Sequence, residues 1–180
     1  MINKQNPHSY QAVRKELARR LRGEPSGFVQ LLSGPRQVGK TTLLQEIAAE
    51  WGPRALYASA DGIEAALPGW WDNLWQRAEM LAQNQPSLLL LDEIHYLPNW
   101  QRLLKAKADQ LKRSKLPLRV VVTGSSALSM GRGANETMAG RFEKLRLLHW
   151  PASELARRFK LDTHTASRMF VEHGSYPGAV

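Results

Sequence analysis

The chain has 180 residues, 43% hydrophobic and 23% charged, with no cysteine and a formal net charge of +9 at pH 7. That length suits one domain with a full core and at most a small appendage. The lack of cysteine excludes disulfides, thiolate chemistry and cysteine-based zinc sites, and it fits a cytoplasmic setting.

In chain order, Ser9 to Leu21 reads as an amphipathic helix, with Tyr10, Val13, Leu17 and Leu21 recurring at helical spacing. A turn cluster, Gly23-Glu24-Pro25-Ser26-Gly27, ends it. Phe28 to Leu32 is a short apolar run of the buried-strand type, and Thr42 to Glu50 is helical with Leu43, Leu44 and Ile47 on one face. Gly52-Pro53 stops that helix, and Ala55 to Ser59 is a second strand. Trp70 to Ala82 reads as helix, with Trp71, Leu74, Trp75, Ala78 and Leu81 inward. The six tryptophans read as core filler before base-stacking surfaces. Ser87 to Leu91 is a strand buried on both faces, Asn99 to Lys112 a helix, and Leu118 to Thr123 a fourth strand. A short helix follows near Glu136–Ala139, then a fifth strand from Phe142 to Leu148 and a helix from Thr163 to His173. This alternation predicts an α/β fold with a mostly parallel sheet, helices on both faces and ligand at the carboxyl ends of the strands.

Between the first strand and its helix, Gly34-Pro35-Arg36-Gln37-Val38-Gly39-Lys40-Thr41-Thr42 fits G-x-x-x-x-G-K-[ST] at each required position. Glycines let successive amides turn toward phosphate oxygens, Lys40 supplies a point charge for the β- and γ-phosphates, and the Thr41 hydroxyl is a Mg²⁺ ligand. The helix opening at about Lys40 adds its positive end. The sequence therefore predicts nucleotide binding, with ATP or ADP as ligand.

The acidic pair Asp92-Glu93, at the tip of the leucine strand, has the form of a Walker B element. Asp92 is expected to hold the Mg²⁺ shell, and Glu93 to orient or deprotonate the attacking water. Thr123, Ser125 and Ser126 end the fourth strand. Any one of these hydroxyls could sense the γ-phosphate, or simply satisfy a turn. Arg141 precedes the fifth strand and is a candidate finger acting on a neighbouring subunit's nucleotide, whereas Arg36 could act in cis; either could instead be a packing arginine. His95 completes a D-E-x-H string and is read as a polar residue supporting the site. The five histidines (His8, His95, His149, His164 and His173) lack metal-ligand spacing, and no run reaches membrane-span length. Basic residues gather in Arg14–Arg22, Lys105–Arg119 and Arg157–Lys160. They read either as solvated helix faces or as surfaces for an anionic partner, nucleic acid included.

Taken together, GPRQVGKTTLL, LLLLDEIHYLPNWQRLLK, VVVTGSS, AGRFEKLRL and the terminal GSYPGA resemble the prokaryotic AAA-like P-loop ATPases, related to the STAND and origin-recognition branch. The resemblance implies a three-layer P-loop NTPase core over residues 1–150 with sheet order 5-1-4-3-2. It also implies ATP and Mg²⁺ as ligands, homo-oligomers, and Arg141 in the arginine-finger position. Pro177, in Gly174-Ser175-Tyr176-Pro177, would lie against adenine, although the family's usual second glycine is here Ser175. Residues 151–180 would begin a lid that the chain does not complete. The activity this implies is Mg²⁺-dependent ATP hydrolysis. The alternatives are a nucleotide-gated switch with negligible turnover or a DNA-associated ATPase.

Overall fold

Leu88, Leu89, Leu90 and Leu91 lead into the architecture, because side chains alternate across a strand and all four are fully buried. In the computed structural model, which describes residues 8–23, 27–125 and 140–173, they form most of β3 (Ser87–Asp92). Leu89 and Leu91 enter a core built with α3 (Trp70–Asn84) and α4 (Trp100–Ser114). Leu88 and Leu90 enter a second core on the other face, built with α1 (Tyr10–Arg22) and α2 (Lys40–Trp51). A strand with no polar face thus has helices on both sides, which gives the three-layer sandwich.

The other strands are β1 (Val29–Gly34), β2 (Ala55–Ser59), β4 (Leu118–Ser125) and β5 (Phe142–Arg146). They lie in the order β2-β3-β4-β1-β5, the expected order read from the other edge. Each pairing is parallel, so the sheet is wholly rather than mostly parallel. All strands therefore end on the same side. From β1 the chain crosses through α2 to β2 at the far edge, so β1 and β3 diverge around β4 and leave room above it for a ligand.

Local chemistry explains the helix ends. The Ser9 hydroxyl accepts from the Ala12 amide at 3.3 Å and caps α1. Gly52 closes α2 with a positive φ of 57°. In α3 the inward face is Leu74, Trp75, Ala78 and Ala82, whereas Leu81 and Trp71 are only half-buried. Two helices follow the sheet, α5 (Ala152–Phe159) and α6 (Thr163–His173). Helix α5 has no counterpart in the sequence reading. Its inner face carries an acid, Glu154, whose Oε1 accepts from the Gln11 amide at 3.0 Å, and this breaks the apolar period. Strand β5 ends at Arg146 instead of Leu148: the Leu147 amide makes the last ladder bond, to the Ser33 carbonyl, and the Leu148 amide turns away to the His8 carbonyl. The helix expected near Glu136–Ala139 lies outside the described residues. Among the described residues, no helix is long and apolar enough to cross a membrane.

Candidate functional site

The register of the parallel sheet brings the two sequence signals together. Leu32 pairs with Thr123, and Leu91 pairs with Val122, so Asp92 and Thr123 share a row and β1 runs two residues further to Gly34. The phosphate-loop sequence begins there. Gln37 and Gly39 both take positive φ, 62° and 95°. Gly39 caps α2 in that left-handed conformation, which a side chain would oppose. Arg36, Gln37, Thr41 and Thr42 are exposed around the loop, Pro35 is half-buried, and Val38 points its side chain into the core.

Lys40 is only 4% exposed, and its ammonium donates to the carbonyls of Gly34 at 3.2 Å and Pro35 at 2.7 Å. Burial lowers its pKa, while the carboxylates of Glu93 and Asp92 oppose that shift and Arg36 adds to it. The lysine is therefore within electrostatic reach of both acids, from β1 past β4 to β3. Asp92 is 2% exposed, and its carboxylate is tightly held. Oδ1 accepts from the Thr123 hydroxyl and from the Glu93 amide at 3.1 Å, and Oδ2 accepts from the Tyr57 hydroxyl at 3.1 Å. Burial, then the Asp92 charge, pushes the Tyr57 phenol up to about 12. Thr123 Oγ1 also accepts from the Glu93 amide at 3.0 Å, so this hydroxyl organises the acidic pair. The side chain of Ser125, all of Ser126 and Pro177 lie outside the described residues.

Glu93 adopts φ 51°, ψ 42°, and its Oε2 lies 3.0 Å from His95 Nδ1. His95 thus lies against Glu93. Arg141 is elsewhere. Its carbonyl accepts from the Val29 amide at 3.0 Å, at the foot of β1. At about 3.3 Å per residue, the length of β1 separates it from its own phosphate loop, which excludes action in cis. Its guanidinium donates to Asp109 at 2.6 Å. That bond holds the Asp109 carboxyl below its usual range. The stabilisation is present above the ordinary carboxylate value of about 3.9 and is lost as pH falls through the lower folded value. In Arg141→Ala, ¹³C NMR should show the Asp109 midpoint moving up toward the ordinary carboxylate range; an unchanged midpoint would mean that the pair does not form in solution. A groove lined by Phe28, Lys112, Lys115 and Arg119 also opens at the foot of the strands, and it contains none of the phosphate-loop or acidic residues.

Two aromatic residues sit behind the loop in roles that the sequence did not reveal. Trp150 Nε1 donates to the Val38 carbonyl at 3.0 Å, and its ring packs on Tyr10 with centroids 5.0 Å apart. Tyr10 Cε2 lies 3.2 Å from where a Cβ on Gly39 would fall. Tyr10 was legible as an inward residue of α1 and Trp150 as core filler. No local pattern ties either one to the loop.

Comparisons with known proteins agree with this geometry. Residues 26–156 match the family described as an AAA domain. The mouse (Mus musculus) protein "ATPase family gene 2 protein homolog B" is 42% identical over 71 residues, covering 37% of this chain and 10% of that protein. An uncharacterized protein of Mycobacterium tuberculosis is 31% identical over 121 residues, covering 66% of this chain and 24% of its own length. The chain thus spans between a tenth and a quarter of these relatives. Among solved structures, Thermotoga maritima RuvB superposes with a TM-score of 0.63 at 21% identity, over 95% of this chain and 59% of that one. The replication initiator DnaA bound to AMPPCP and single-stranded DNA gives 0.61 at 17%, over 97% and 59%. At such identities the likeness is one of fold.

Proposed function

Because this chain belongs to the AAA domain family, we propose that it binds ATP with Mg²⁺ at the carboxyl ends of β1 and β3 and hydrolyses the terminal phosphoanhydride. The observation that carries the reading is the buried Lys40 ammonium, on a loop with left-handed turns at Gln37 and Gly39, within electrostatic reach of Glu93 and Asp92 at the tip of β3. The donor set fits a magnesium nucleotide. Thr41 is an exposed hydroxyl on the first turn of α2, and Asp92 is a carboxylate fixed by three hydrogen bonds. Thr41 and Asp92 would hold the cation, which neutralises charge on the phosphate oxygens.

The chain's own residues would do the rest. Lys40 binds the β- and γ-phosphates in exchange for the Gly34 and Pro35 carbonyls, and loop amides supply further donors. Glu93 accepts a proton from water as the water oxygen bonds to the γ-phosphorus. The bond from that phosphorus to the bridging oxygen breaks, and ADP leaves. Arg141, remote from its own site, is assigned to a neighbouring subunit's nucleotide; one hydroxyl among Thr123, Ser125 and Ser126 would sense the γ-phosphate, and Pro177 would lie against adenine.

Isothermal titration with Mg-ATP tests the binding. Lys40→Ala should weaken it by about 2–5 kcal/mol, the usual cost of removing one partner of a desolvated charge pair. Wild-type affinity in that variant would overturn the site.

A further inference from the structure

Glu93 carries a feature that its role as a base does not require. Its Oε2 is shut off from solvent without an ordinary hydrogen-bond partner, and so is His95 Nδ1; the two atoms lie 3.0 Å apart. The backbone creates the meeting. Glu93 turns left-handed, and its carbonyl accepts from the Tyr96 amide at 3.1 Å. The 3-10 turn Ile94–Tyr96 then folds back, anchored by the fully buried Ile94, and carries the imidazole to the carboxylate two residues earlier. The His95 ring is steadied by Tyr96, with centroids 4.6 Å apart. The Glu93 amide is itself fixed by Asp92 and Thr123, so only the side-chain torsions remain to be set.

We propose that His95 is a positioning residue that donates Nδ1–H to Glu93 Oε2 and thereby aims Oε1 at the water attacking the terminal phosphate. The proposal rests on the reading of Glu93 as base. A carboxylate only accepts, and a neutral imidazole donates from one ring nitrogen, so a hydrogen bond made across this 3.0 Å approach places the proton on Nδ1. Oε2 is the enclosed oxygen, which leaves Oε1 as the oxygen to take a proton from water; Glu93 as a whole lies within electrostatic reach of Lys40. A base free to rotate spends much of its time misaimed, and a misplacement of about 1 Å costs on the order of 100-fold in rate.

The test compares His95→Phe, His95→Asn and His95→Gln in the whole chain. Phenylalanine keeps the ring on Tyr96 and removes the donor. Asparagine puts an N–H where Nδ1 was, and glutamine puts one where Nε2 was. His95→Phe and His95→Gln should lose roughly 10- to 100-fold in kcat with KM unchanged, and His95→Asn should recover most of the rate. Wild-type kcat in His95→Phe, or an equal loss in His95→Asn, overturns the proposal. A second readout needs no turnover. In ¹H–¹⁵N spectra of the neutral imidazole form, His95 should carry its proton on Nδ1 and shift it to Nε2 in Glu93→Ala. A proton on Nε2 in the wild type also overturns it. Full turnover in Glu93→Gln would instead remove the base reading, while the tautomer still reports on the contact.

Discussion

Glu93→Gln is expected to lower phosphate release by about 10²- to 10⁴-fold, the usual contribution of a positioned general base. Glutamine is isosteric, its amide oxygen can still face His95, and the left-handed backbone at residue 93 is retained. What it cannot do is take a proton from water. Nucleotide affinity should not fall and should rise slightly, because one carboxylate within electrostatic reach of Lys40 is neutralised and a bound triphosphate then meets less negative charge. Single-turnover phosphate release and titration with a fluorescent ATP analogue separate the two effects. Unchanged release with intact binding would sink the hydrolytic reading in favour of a switch that uses occupancy alone.

Gly34→Ala is the substitution with the largest expected structural effect. An added Cβ would fall 2.1 Å from the Leu147 carbonyl oxygen and 3.1 Å from its carbon. Both are backbone atoms, and Leu147 is itself tied to the Ser33 carbonyl by its amide at 2.8 Å. Nothing there can turn aside as a long side chain would. The cost should reach about 3 kcal/mol, the upper end for overpacking. In a chain of this size that lowers Tm by roughly 6–12 °C. Gly62→Ala is the control, with φ −73° and nothing nearer than 3.6 Å. Equal melting temperatures for the two variants would refute the close approach. A loop displaced by the same clash should also bind ATP less tightly, since the Gly34 carbonyl is one of the two that hold Lys40.

Much of this architecture was legible because it rests on local signals. Helical spacing identified Tyr10, Val13, Leu17 and Leu21, and all four are buried. The leucine run identified a strand covered on both faces. The family resemblance, and not the local signals, gave the strand order. Helix α5 escaped because an inward acid satisfies a distant amide, which no period reveals. The inward position expected for Leu81 went to Ala82, since one step along a helix is only about 100° and the apolar stripe of α3 is wide.

The sequence by itself determined which chemical groups this protein owns: a glycine-bounded loop ending in Lys40 and Thr41, and an apolar strand ending in Asp92 and Glu93. Each is a property of consecutive residues, whose spacing dictates backbone shape. Only the tertiary structure decided what those groups touch. It set Tyr57 and Thr123 on Asp92, and Trp150 and Tyr10 behind the loop. It also turned His95 onto Glu93 and sent Arg141 to the far end of the sheet. Those pairings depend on register and on the packing of elements distant in the chain, and such contacts leave no periodic trace in the residues that make them.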